Sequence, residues 1–152
     1  MGSTPAARTT SDFLIFANMT DFFPKPGGGV KTCLLLEDEG ALTEVLKVHL
    51  EMNAWEVTAV SNGLDGLKQV MERDFDIIVC DMMMEKLAGD MFYRAVERAK
   101  PHLCKRFVFM TGYKGNKKIE EFIRNVNGLM LWKPFEAYEL LDAMRMVLQT
   151  QR

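Results

Sequence analysis

Three carboxylates stand directly after short apolar runs. Glu37 and Asp38 follow Cys33-Leu34-Leu35-Leu36, and Asp81 follows Ile77-Ile78-Val79-Cys80. Carboxylates gathered in one place repel one another unless a cation or a proton joins them, so a trio of this kind asks for a metal. Hard oxygen donors suit Mg2+ (or Mn2+); Mg2+ keeps several of its waters and needs only one or two carboxylates plus phosphate oxygens. Two more polar side chains close apolar runs later in the chain: Thr111 after Phe107-Val108-Phe109-Met110, and Lys133 after Leu129-Met130-Leu131-Trp132. A hydroxyl and an ammonium are both groups that hold phosphate oxygens. In that company Asp81 is a candidate nucleophile. A carboxylate is already ionised at neutral pH, needs no general base, and forms acyl phosphates in enzymes.

These residues can meet only if the fold brings their runs together. Five short strands are expected, over Thr32–Leu36, Glu56–Val60, Asp76–Cys80, Phe107–Met110 and Leu129–Leu131. Apolar residues at helical spacing fall between and after them: Leu42, Val45, Leu46 and Leu50; Leu64, Leu67, Val70 and Met71; Phe92, Ala95, Val96 and Ala99; a weaker set at Ile119, Phe122 and Ile123; and Leu140, Leu141, Met144, Val147 and Leu148. Strand and helix alternating five times is the pattern of an α/β protein: a five-stranded parallel sheet, doubly wound into a three-layer sandwich of the flavodoxin-like type. In such a sheet the loops after the strands carry the chemistry, at one edge. Glu37, Asp38 and Glu39, then Asp81, then Thr111-Gly112, then Lys133-Pro134-Phe135 all fall there.

Composition narrows the function classes. The 152 residues suit one domain plus a tail, and 48% hydrophobic with 26% charged residues is ordinary for a soluble globular protein. No apolar stretch approaches the roughly 20 residues of a membrane span. A net charge of -2 argues against direct nucleic-acid binding through a basic face. Three cysteines, two of them inside apolar runs, and no signal peptide point to the cytoplasm. Residues 1–29 read as a tail: a small polar start of the kind appended for expression, an aromatic stretch at Phe13–Phe16 and Phe22-Phe23 able to dock on a neighbour, and a Pro/Gly linker from Pro24 to Gly29. The domain proper runs over residues 30–152.

Over residues 31–149 the chain resembles the receiver domains of bacterial two-component response regulators. The resemblance rests on Leu34-Leu35-Leu36-Glu37-Asp38-Glu39, Ile77-Ile78-Val79-Cys80-Asp81-Met82-Met83-Met84, Phe109-Met110-Thr111-Gly112 and Lys133-Pro134-Phe135. It implies that Asp81 is the phosphoacceptor, that Glu37, Asp38, Asp81 and the backbone carbonyl of Met83 face Mg2+, and that Thr111 and Lys133 contact the phosphoryl group. It further implies a histidine kinase or phosphotransfer protein as donor, an interaction or homodimer face around the fourth helix, fifth strand and fifth helix, and no enzymatic turnover beyond slow self-dephosphorylation. The stretches Phe107–Gly112 and Asn127–Phe135 are similar to receivers at the C-terminal end of hybrid sensor kinases.

The chain departs from that pattern at several points. Glu85 stands where the family usually has proline, Ala88 replaces a frequent aspartate, and Met130 stands where an aromatic is common, with Tyr113 and Trp132 nearby. Met83 is bulky and apolar where many members are polar, which implies slow water attack on a phosphorylated Asp81. Other readings compete. A haloacid-dehalogenase-like phosphatase also sets Asp, Thr and Lys after parallel strands, but Met83 occupies the position of its proton-transferring second aspartate, and the length leaves no room for a cap domain. A receiver-like binding module that is never phosphorylated would not need this acidic set. Taken singly, each residue has a plain structural reading as a cap, turn or surface charge; their joint occurrence at four strand ends favours the chemistry. The methionines at 82, 84, 110, 130, 144 and 146 are expected to fill core or interface gaps, and His49 and His102 to be incidental.

Overall fold

The computed structural model describes residues 29–151. The readings of Phe13–Phe16 and Phe22-Phe23 as a docking stretch and of Pro24–Gly28 as linker lie outside the described residues. Five parallel strands form one sheet: β1 (Lys31–Leu36), β2 (Trp55–Val60), β3 (Ile77–Asp81), β4 (Phe107–Thr111) and β5 (Leu129–Trp132). Their spatial order is β2-β1-β3-β4-β5. Five α-helices alternate with them: α1 (Gly40–Met52), α2 (Gly63–Glu72), α3 (Gly89–Ala99), α4 (Lys117–Val126) and α5 (Ala137–Gln149). The doubly wound α/β sandwich expected from the alternation is the observed fold.

The three central strands are unbroken apolar runs because they are covered on both faces. Every residue of β3 and β4 is buried, as are Cys33 to Leu36 of β1. Side chains alternate across the sheet. Leu34, Leu36, Ile78, Cys80, Phe107 and Phe109 pack with Val70 of α2, Phe92, Tyr93 and Val96 of α3, and Ile119 of α4. Cys33, Leu35, Ile77, Val79, Val108 and Met110 pack on the other face, with Leu46 and Leu50 of α1 and Leu140, Ala143, Met144 and Val147 of α5. An aromatic cluster ties α3 and α4 to β4: Phe109 meets Phe122 edge-on at 5.6 Å and Tyr93 meets Phe107 at 5.1 Å.

The differences from expectation lie at the ends of elements. Each strand reaches one residue beyond its expected limit at one end, and Asp81 and Thr111 are the last residues of β3 and β4 rather than loop residues. Helix α4 is complete despite its weak apolar signal, because Asn116 caps it by accepting from the amides of Lys118 and Ile119, and Asn127 ends it in a left-handed conformation at φ 52°. A short 3-10 helix, Pro101–Arg106, precedes β4 and was not foreseen. Met82, Met84, Met110 and Met144 are buried, whereas Met146 is exposed. His102 is not incidental: its Nε2 lies 2.6 Å from Asp74 Oδ2, and Lys100 holds the other oxygen at 2.9 Å.

Candidate functional site

Because β1 and β3 are neighbours while their helices leave toward opposite faces, a crevice opens at the C-terminal ends of these two strands. Register sets its walls. Leu36 pairs with Cys80, so Glu37 and Asp81 emerge side by side. On the other flank Asp81 pairs with Met110, and Thr111 pairs with Trp132, the residue before Lys133. Four chain segments thus deliver one polar group each to one edge.

Glu37 turns inward, its amide donating to Val60 O at 3.1 Å and its Oε1 accepting from the Glu39 amide at 3.1 Å. Its side chain is fully buried. Asp81 is also buried; its Oδ1 accepts from the Met83 amide at 2.9 Å. Asp38 is exposed at the mouth. Lys133 bridges the strands: its Nζ donates to Glu37 Oε2 at 2.6 Å and to Asp81 Oδ2 at 2.7 Å, and its own amide donates to Thr111 O at 2.8 Å. Thr111 is wholly buried, and its Oγ1 accepts from the Tyr113 amide at 3.2 Å. Met83 contributes its amide to Asp81, while its side chain is 43% exposed.

The electrostatics of this edge are one-sided. Carboxylate oxygens of Glu37, Asp38 and Asp81 lie within 4.8 Å of one another, and the Lys133 ammonium pairs with two of these carboxylates, Glu37 and Asp81. Burial pushes the Glu37 carboxyl up to about 7; the Lys133 hydrogen bond opposes this and the Asp81 charge adds to it. Burial also works against the Lys133 ammonium, but its bonds to Asp81 and Glu37 outweigh that and hold its pKa above the ordinary value. The causes of the two upward shifts differ: burial for Glu37, and the bonds to the two carboxylates for Lys133. A divalent cation fits this site. The three carboxylates would supply hard oxygen ligands of the kind Mg2+ takes, and they already lie within 4.8 Å of one another.

All six residues singled out in the sequence therefore lie at this edge, on or beside the ends of β1, β3, β4 and β5. Lys133 has a part that sequence reasoning missed: it already pairs with Glu37, a residue 96 positions away. Tyr113, through its amide on Thr111, is the other contributor without a sequence signal.

Comparison with known proteins agrees with this geometry. Residues 33–145 match the response regulator receiver domain. The response regulator protein FleR of Pseudomonas aeruginosa is 31% identical over 109 residues, covering 72% of this chain and 23% of its own length. Among solved structures, a CheY-like response regulator receiver domain protein from Methanospirillum hungatei has a TM-score of 0.74 at 21% identity, over 81% of this chain and 97% of that one. The receiver domain of sensor histidine kinase PA1611 from Pseudomonas aeruginosa, solved with a magnesium ion coordinated in its active site cleft, has a TM-score of 0.70 at 21% identity, over 80% and 99% of the two chains. The two structures share the fold, and the family match runs from β1 into α5 and so spans all five strand ends that frame the acidic crevice; this chain belongs to the response regulator receiver domain family.

Proposed function

We propose that Asp81 accepts a phosphoryl group from a phosphohistidine of a partner kinase or phosphotransfer protein, and that the modified domain presents a changed surface to its output partner. The observation that carries this reading is the buried Asp81 carboxylate, held by Lys133 at 2.7 Å within a trio of carboxylates that lie within 4.8 Å of one another. Glu37, Asp38, Asp81 and the Met83 carbonyl would hold Mg2+ (or Mn2+). That ion, when bound, supplies charge neutralisation between the carboxylate and the incoming phosphoryl group.

The chain's own residues do the rest. The Met83 amide on Oδ1 and the Lys133 ammonium on Oδ2 fix the Asp81 carboxylate in one orientation, which reduces the entropy to be lost at attack. Attack by a carboxylate requires no general base. The new group carries about -1.5 to -2 charge, and Lys133, already on Asp81 at 2.7 Å, and the Thr111 hydroxyl at the end of the neighbouring strand are donors able to meet it. As a member of the receiver family the domain fits a phosphoacceptor switch rather than a catalyst. Membership of the receiver family and the likeness to the sensor kinase CckA of Brucella abortus fit a cytoplasmic location and a longer parent chain such as a hybrid sensor kinase.

Acetyl phosphate with Mg2+, followed by intact mass, tests the reading. The expected result is one added phosphoryl group, abolished by EDTA. An unmodified protein at saturating donor and Mg2+ would leave the receiver-like binding module as the better description.

A further inference from the structure

The turn between β2 and α2 supplies none of the three carboxylates, yet it is bonded to segments on both sides of them. On one side Val60 O, at the end of β2, accepts from the Glu37 amide at 3.1 Å. On the other side the Leu64 amide, in the first turn of α2, donates to Lys86 O at 3.1 Å, in the loop that follows β3. Only Ser61, Asn62 and Gly63 separate Val60 from Leu64. Asn62 holds them in place: its buried side chain accepts from the Asp65 amide at 2.9 Å and donates to Asp65 Oδ2 at 2.9 Å. A capped helix start is a firm point from which to brace a neighbour.

The loop so braced is the one that carries Met83. Residues 82–88 form a lobe closed at its neck by the Gly89 amide, which donates to Met82 O at 3.2 Å. Lys86 and Leu87 take φ 48° and 80°, left-handed values that residues with a Cβ adopt rarely, and then singly. Two in succession persist only where the surroundings enforce them. Leu87 is enforced twice. Its side chain packs against the core that α2 and α3 cover, and its carbonyl oxygen lies so close to Gly63 that a Cβ on that glycine would overlap it. Gly63 is thus the seat of Leu87, and the Leu64 amide is the tie on Lys86.

Resting on the reading of Glu37, Asp38, Asp81 and the Met83 carbonyl as Mg2+ ligands, we propose that Gly63 and Leu87 are positioning residues for that ion: the β2–α2 turn clasps the loop after β3 and so holds the Met83 carbonyl in place relative to Glu37. The clasp acts through the backbone, since Val60 O and the Leu64 amide fix the two segments from one rigid turn. Mg2+ demands near-ideal octahedral geometry, so a carbonyl ligand free to wander weakens its binding. The coupling is reciprocal: a closed clasp favours the ion, and the ion favours the closed clasp.

Titration of the full chain with Mn2+, the free ion counted by electron paramagnetic resonance, measures the site without any phosphoryl transfer. Gly63→Ala should raise the dissociation constant several-fold, because the new Cβ displaces Leu87 O. Leu87→Gly removes the anchoring side chain and eases the left-handed strain; it should weaken binding likewise while circular dichroism shows an intact fold. Leu87→Met refills the seat and should bind as wild type does. Val70→Ala, in the core on the same helix, is the control for lost stability and should leave the affinity unchanged. The unaltered chain gives a reading that needs no variant: Mg2+ should slow hydrogen exchange at the Leu64 amide several-fold. Gly63→Ala and Leu87→Gly chains that bind as tightly as wild type, a Val70→Ala chain that loses as much affinity as they do, or Leu64 exchange indifferent to Mg2+ overturns the clasp alone. Wild-type protein that takes up no Mn2+ overturns the proposal together with the metal reading on which it rests.

Discussion

At the scale of single residues the pocket is defined by a shortage of positive charge. Glu37 and Asp81 share one lysine, and Glu37, with no exposed side-chain surface, is pushed up to about 7. The folded state then holds a proton on Glu37 between its ordinary 4.5 and about 7, whereas the unfolded chain does not. Where the folded state binds more protons, stability falls as pH rises. Metal-free protein should therefore lose thermal stability as pH rises through that window, and Glu37→Gln should flatten the slope, as differential scanning fluorimetry at a series of pH values would reveal. Lys133 adds nothing there, since its raised pKa places its loss of charge above the ordinary 10.5. Met83 governs a second property. Its amide is bonded to Asp81, and its half-exposed apolar side chain offers attacking water no strong hydrogen bond. Met83→Asn is expected to shorten the acyl-phosphate half-life several-fold, measured by the decay of the phosphorylated mass after donor removal; an unaltered half-life would refute that.

At the scale of elements, the strands were legible because a strand covered on both faces is written as an unbroken apolar run. Their last residues were not. Asp81 and Thr111 are polar, and a polar residue closing an apolar run looks like loop, although the ladder continues through both. Helix α4 was faint for a related reason: Ile119 is its one buried residue, and its limits come from the Asn116 and Asn127 caps. The apolar stripes also overstated burial, since Val45, Leu64 and Met71 lie on helical patterns yet are exposed. The link between Lys133 and Glu37 had no local signature, because nothing in either segment names a partner so distant in sequence. One element contact bears directly on the site. A Cβ on Gly89, at the start of α3, would stand 2.7 Å from Asp81 O and 2.8 Å from Met82 Cα. These are backbone atoms that cannot swing aside. Gly89→Ala should thus displace the segment after β3, lower stability by roughly 1–3 kcal/mol in denaturant titration and slow phosphorylation by acetyl phosphate. A variant that matches wild type in both would show that α3 and β3 do not set the position of Asp81.

At the scale of the whole molecule, one sheet edge gathers the chemistry while the described residues form a single five-stranded sheet that carries it. The family follows from the match over residues 33–145; the phosphoacceptor and the metal ligands are proposed from the geometry, and the donor from the family. The central claim is that one particular carboxylate, Asp81, receives the phosphoryl group. Borohydride reduces an acyl phosphate on aspartate to homoserine, and peptide mass spectrometry then locates the altered residue. Protein treated with Mg2+ and acetyl phosphate should show homoserine at Asp81 alone, with none in Asp81→Asn. Homoserine at Asp38, or phosphorylated protein with Asp81 unreduced, would contradict it.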